Sequence, residues 1–203
     1  MTKFSDYEQT AKEYNIGGGA DFWKPEKGEN RVRILTGYEA YGTHFIKKDN
    51  RSYTCIGAEK NCPHCLNNDK PKVLFLMWVL NRADDTIKLA QIGYSIVRSI
   101  GELSKSDDWK FDEIPEYDIV INRTGEGLKT EYSVIPTPDK TPLTEEQKGE
   151  VENKVKSIKE IIDKMKEKVI NELNENAPAL DELEDVKDGD ITSDDIKVEN
   201  IPF

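Results

Sequence analysis

The chain has 203 residues, a formal net charge of −11, 36% hydrophobic residues and 34% charged ones. This length accommodates one domain of ordinary size with appendages, and the low apolar content implies that part of the chain builds no core. No apolar stretch approaches the ~20 residues of a membrane span and no signal peptide opens the chain, so a cytoplasmic protein without a membrane partner is expected.

Residues 1–20 are polar and end in Gly17-Gly18-Gly19, a flexible joint. A core domain is expected over residues 21–140. From Arg31 the run Arg-Val-Arg-Ile-Leu alternates, so Val32 and Ile34 face a core while Arg31 and Arg33 face out. Gly37 and Gly42 mark bends or bulges in the strands that follow. Residues 73–80 are an unbroken apolar run, a strand buried on both faces or lining a small barrel. Phe75 and Trp78 fall on its opposite faces, so at least one of them is core. After a turn at 81–85, residues 86–92 form a hairpin partner with Lys88 outward. Ile96, Val97, Ile100 and Leu103 have helical spacing, which predicts a short helix over 95–103. Two further strands, 118–122 and 130–135, are joined by a turn at Gly125-Glu126-Gly127.

One helix inserted before the last pair of strands is the order of a five-stranded Greek-key barrel, the OB-fold; strand count alone fits a β-sandwich nearly as well. The fold class is therefore mainly β. Pro136, Pro138 and Pro142 close this region. Thr144 with Gln147 forms a capping box that opens a long helix over 143–176. Val151, Val155, Ile158, Ile162, Met165 and Val169 make its apolar stripe, which docks on the barrel or forms a helical dimer seam. The oligomeric state stays open.

Charge is distributed unevenly. Residues 22–88 hold twelve Lys or Arg against eight Asp or Glu, whereas residues 172–203 hold eleven acidic residues against two lysines. Such a tail repels itself and carries few apolar groups, so residues 177–203 are expected to be disordered. It includes Asp194 and Asp195 and closes on Ile201-Pro202-Phe203, an apolar tip on an acidic tether suited to partner binding. A basic front and an acidic tail are compatible with nucleic acid despite the overall acidity.

All three cysteines fall within eleven positions: Cys55, Cys62 and Cys65. An odd number in a cytoplasmic chain is a poor disulfide framework. Cys62-Pro63-His64-Cys65 is a knuckle whose two thiolates can grip one tetrahedral ion, and zinc wants four ligands. His44 is favoured for the fourth place because it can return across a hairpin; His64, inside the knuckle, is the alternative. Three cysteines and a histidine saturate the ion, which makes one zinc per chain structural and its subdomain, about residues 42–72, its dependant.

Aromatic and basic residues interleave across the basic half. The candidate nucleic-acid-binding residues are Trp23, Lys24, Arg31, Arg33, Tyr38, Tyr41, Phe45, Lys47, Lys48, Arg51, Tyr53, Lys72, Arg82 and Lys88. Unpaired bases stack on rings while cations track phosphates, the physics of sequence-tolerant single-strand binding. No paired carboxylates or nucleophile–base motif points to an enzyme. An RNA-binding or translational-regulatory module, or a zinc-dependent interaction adaptor, would explain less of the chain than single-stranded DNA does.

Phe22-Trp23-Lys24-Pro25, the Gly28-Glu29-Asn30 turn, Arg31-Val32-Arg33-Ile34-Leu35 and the ordered set His44, Cys55, Cys62-Pro63-His64-Cys65 together resemble the T-even-type phage single-stranded-DNA-binding protein family, gene 32 protein-like. The resemblance covers about residues 20–135 plus the acidic tail, whose tip is similar to that of bacterial single-stranded-DNA-binding proteins. It implies an OB-fold with a zinc subdomain and a function in DNA replication, recombination and repair, with proteins of those processes as tail partners. The family's basic N-terminal segment has no clear match, because Lys3 and Lys12 are mixed with Asp6, Glu8 and Glu13.

Overall fold

The computed structural model describes residues 22–47, 50–138 and 140–175. The N-terminal segment 1–20 and the tail 177–203, with Asp194, Asp195, Ile201, Pro202 and Phe203, lie outside the described residues, as does Lys48. Seven strands form one antiparallel sheet: β1 (Gly28–Ile34), β2 (Glu39–Ile46), β3 (Arg51–Thr54), β4 (Lys72–Asn81), β5 (Thr86–Ile92), β6 (Ile119–Thr124) and β7 (Glu131–Pro136). Among the described residues four α-helices accompany it: α1 (Pro63–Leu66), α2 (Tyr94–Leu103), α3 (Glu145–Lys154) and α4 (Ile158–Glu175). None of the described helices is long and apolar enough to cross a membrane.

The sheet runs β3-β2-β4-β1-β6-β7, with β5 also paired to β4. The apolar run of β4 organises it by holding three neighbours: β2 along Lys72–Leu76, β1 along Val79–Asn81 and β5 along Phe75–Asn81. A closed barrel needs β5 to reach β7, and among the described residues these strands do not pair. Trp23 instead occupies part of the outer edge of β5, donating its N–H to Leu89 and accepting from Gln91, each at 3.0 Å. The expected barrel is thus an open sheet in this structure.

Strand alternation sorts the side chains of β4 onto two cores. Met77 and Val79 join Val32, Ile34, Ala90, Ile92, Ile119 and Ile121, with Ile96 and Val97 of α2 closing that side. The opposite face carries Leu76, with Leu74 and Trp78 packed beside Tyr41 and the α4 residues Ile158 and Ile162. Phe75 and Trp78 therefore both pack, one in each core. Each large apolar side chain withdrawn from water this way contributes roughly 1.5–3 kcal/mol.

The helix expected over 143–176 is two helices. Thr144 and Gln147 do form the capping box that starts α3, with reciprocal bonds of 3.1 Å. At Val155 the backbone turns extended, φ −76° and ψ 109°. Ser157 then caps α4, its Oγ accepting from the Glu160 N–H at 3.4 Å. The break frees the Lys156 carbonyl, which accepts from the Trp78 indole N–H at 2.9 Å. It also re-aims the second half of the apolar stripe: Ile158, Ile162 and Met165 pack on the sheet, and Val169 and Ile170 pack on the cysteine-bearing loop. The stripe docks on its own chain.

Candidate metal centre and nucleic-acid interface

His44 lies on β2, directly opposite Tyr53 of β3, and Cys55 follows one residue after that strand. The Cys55 N–H donates to the Gly42 carbonyl at 2.8 Å, extending the hairpin up to the site. A Cβ on Gly42 would stand 3.0 Å from Pro71 Cβ and 3.1 Å from Cys55 Cβ, so a side chain there would push the loop back by a few tenths of an ångström. Gly57, at φ +91°, turns the chain back, and its carbonyl accepts from the Cys62 N–H at 3.0 Å. Cys62 then caps α1, whose Pro63 suits a first helical position, and α1 carries Cys65 back to the centre.

The four ligand atoms of His44, Cys55, Cys62 and Cys65 all lie within 4.8 Å of one another. Cys55 Sγ and Cys65 Sγ are 3.4 Å apart, and His44 Nε2 lies 3.6 Å from Cys62 Sγ and 3.5 Å from Cys65 Sγ. Bonds of about 2.3 Å to sulfur and 2.0–2.1 Å to nitrogen around a tetrahedral ion place ligand atoms about 3.5–3.8 Å apart. The group can hold a metal ion. Asp69 Oδ2 accepts from His44 Nδ1 at 3.0 Å, which leaves Nε2 with its lone pair toward the sulfurs. His64 is not one of the four: its ring lies over that of His44, centroids 5.0 Å apart.

The sulfurs are electrostatically tuned. The hydrogen bond from Cys55 pushes the Cys65 thiol up to about 12, with desolvation and the neighbouring Cys62 adding to it. Burial raises the Cys62 thiol, yet the backbone N–H groups of Cys65, Ile56 and His64 outweigh that and leave it below its ordinary value. Three crowded sulfurs cannot all ionise against one another, and a central cation is what removes that conflict.

The candidate interface residues divide sharply. Arg31 and Arg33 do face away from Val32, as alternation requires, but a buried carboxylate there holds both, with Arg33 buried and Arg31 partly exposed. Asp118, fully buried, accepts from Arg31 Nε at 2.9 Å, Arg33 Nε at 2.7 Å and Arg82 Nε at 3.0 Å. The Thr141 carbonyl, from the segment that follows β7, accepts from Arg33 Nη2 at 2.7 Å and Arg82 Nη2 at 3.4 Å. The outward Arg33 expected from the sequence is therefore buried, and the three arginines serve a carboxylate rather than open solvent. Lys88 is likewise engaged, its Nζ 2.6 Å from Asp84 Oδ2. The pocket beside them, about 870 Å³, is lined by Arg31, Arg82, Lys27 and Lys88 together with Glu26, Glu29, Asp84, Asp85 and Asp118, so it offers no excess of positive charge.

One aromatic candidate is also corrected. Tyr41 is 4% exposed, with its hydroxyl accepting from the Gln91 amide; burial raises that hydroxyl above its ordinary value, against the effect of the Gln91 bond. Trp23 is half-buried against the main core with its backbone on β5. The rest of the set stays accessible. Tyr38 is 54% exposed and packs edge-on against Phe75, and Phe45 is 57% exposed. Lys24, Lys47, Arg51 and Lys72 are exposed, and Tyr53 is half-buried. Sequence reading missed Asp118. Its one signal was an acidic residue heading an apolar strand, in a chain whose first strand carries Arg31 and Arg33.

Compared with protein families, with curated proteins and with solved structures, the chain matches none of them. The functional reading therefore rests on these residues themselves.

Proposed function

We propose that this protein binds single-stranded DNA through the surface of β2, β3 and β4, with a structural zinc ion holding the adjoining lobe. One observation carries the reading. Lys47 just past β2, Arg51 on β3 and Lys72 on β4 stand exposed in no ion pair among the described residues, and the exposed rings of Tyr38 and Phe45 stand just before β2 and on it. Register places Lys72 opposite Thr43 and Phe45 opposite Ser52, so that cation and that ring share one sheet face, while Arg51, opposite Ile46, lies on the other face with His44 and Tyr53. Rings that stack on bases next to cations that track phosphates make a single-strand site, and a duplex hides the base faces such rings need.

Three thiolates and an imidazole at tetrahedral spacing favour zinc, and four protein ligands leave no open position for chemistry. The order β4–β5 hairpin, α2, β6–β7 hairpin supports an OB-type arrangement. On this reading the acidic segment 177–203 recruits proteins of DNA replication, recombination or repair. The test is a salt titration of affinity for oligo-dT, oligo-rU and duplex DNA. Tightest binding to oligo-dT, weakening as salt rises, is expected; preference for oligo-rU would move the assignment to RNA, and preference for duplex would refute it.

A further inference from the structure

The metal lobe contains a second histidine that the ligand set does not use. His64 sits in α1 between the two knuckle cysteines, so its backbone is fixed from both sides by Cys62 and Cys65. Its ring centroid lies 5.0 Å from that of His44 at 33° and 6.1 Å from that of Tyr53 at 35°. His44 and Tyr53 are directly opposite one another on β2 and β3, which points both side chains to the same sheet face. His64 therefore packs against the pair, and the residue is partly exposed. Its ring nitrogens have no hydrogen bond among the described residues. Arg51, two residues before Tyr53, projects to the same face of β3 and is exposed.

We propose that His64 is a nucleobase-stacking residue, with its outer ring face receiving an unpaired base and Arg51 meeting the adjoining phosphate. This inference rests on the single-strand reading above and adds to it a contact on the metal lobe itself. A planar ring held by two ligand residues loses little freedom on binding, which favours it over a ring on a free loop. The contact needs no protonation of the imidazole, because every base and every aromatic ring offers a π-face.

The experiment measures affinity for a fluorescent oligo-dT, its salt slope and metal content for the wild type, His64→Phe and His64→Leu. Phenylalanine keeps an aromatic face and leucine keeps only bulk, so packing against His44 is comparable in the two variants. His64→Phe is expected to bind within two-fold of wild type, and His64→Leu to bind about five-fold or more weakly, with an unchanged salt slope and full metal in both. Equal affinity of the two variants would overturn the stacking role while leaving the single-strand reading intact. Loss of metal in both variants would overturn it too, by making the imidazole part of the metal site. A wild type that binds no single strand would overturn the reading beneath it and this inference together.

Discussion

Two groups of basic residues sit on one sheet and have opposite surroundings. Arg31, Arg33 and Arg82 surround Asp118, a carboxylate fully withdrawn from water. Lys47, Arg51 and Lys72 stand on or just past strands of the same sheet, exposed and outside any ion pair among the described residues. Neither residue type nor strand alternation distinguishes the groups. What does is the carboxylate at the head of β6, with the chain after β7 laying the Thr141 carbonyl over Arg33 and Arg82. A cation is free to meet a phosphate only where the fold has not already given it a carboxylate, and the buried group is a structural counter-charge.

The strongest way to test that division is to remove what holds the second region. Structural zinc sites in small peptides carry apparent binding energies of about 10–16 kcal/mol, and that energy is folding energy. On the proposed zinc reading, Cys62→Ser should take bound metal from one ion per chain to none. It should also strip amide-exchange protection from β2 and β3 while β1, β4 and β6 keep theirs, since the main core lies apart from the cysteine loop. Uniform loss of protection would show one cooperative unit. Next in size is Asp118→Ala, which leaves Arg33 buried without its partner and should cost about 3–5 kcal/mol, read from the denaturant midpoint. An unchanged midpoint would mean that the arginines are solvated and open to a ligand after all.

Local rules carried far in this chain. The alternation around Val32 and Ile34, the apolar run of β4, the helical spacing of Ile96 and Val97 and the Thr144–Gln147 capping box each depend on neighbours within a few residues, and each stands in the structure. The metal group was legible for a similar reason: four residue types with metal-ligand chemistry, two of them fixed by knuckle spacing. What escaped depends on distant segments. Arg33 faces away from the core as its position dictates, but whether that side meets water is decided by Thr141, over a hundred residues on. Tyr41 is buried because α4 lands on it, and the break at Val155 that lets α4 do so follows from the Trp78–Lys156 contact as much as from Ser157. Barrel closure was likewise a question of which backbone reaches the edge of β5, and Trp23 holds part of it.

The interface itself offers a graded comparison. Tyr38→Ala or Phe45→Ala should each cost about 1–3 kcal/mol of oligo-dT affinity with little change in salt slope, because a lost stacking contact releases no counterions. Arg51→Gln should flatten the log–log slope by about 0.7, one phosphate contact on a single strand. Lys88→Gln should leave it unchanged, as its partner is Asp84. Tyr41→Phe removes the hydroxyl that pairs with Gln91, so about 1 kcal/mol of stability should be lost with affinity intact. Equal slopes for Arg51→Gln and Lys88→Gln would erase the distinction between the two regions.

The smallest effect belongs to the neutralised side. The hydrogen bond from Lys88, followed by that from Thr86, holds the Asp84 carboxyl at about 2, below its usual 3.8. A carboxylate with a depressed folded value stabilises the fold above its unfolded value, and the gain disappears as pH falls through the folded one. Asp84 and Lys88 are both partly open to water, so screening limits the pair to about 0.5 kcal/mol. Asp84→Asn should therefore lower Tm slightly at pH 6, and the gap to wild type should close between about pH 4 and pH 2. Because this turn joins β4 to β5 away from the proposed interface, oligo-dT affinity at pH 7 should not follow it. A parallel loss of affinity would place the β4–β5 turn on the nucleic-acid surface and return Lys88 to the set of phosphate-binding cations.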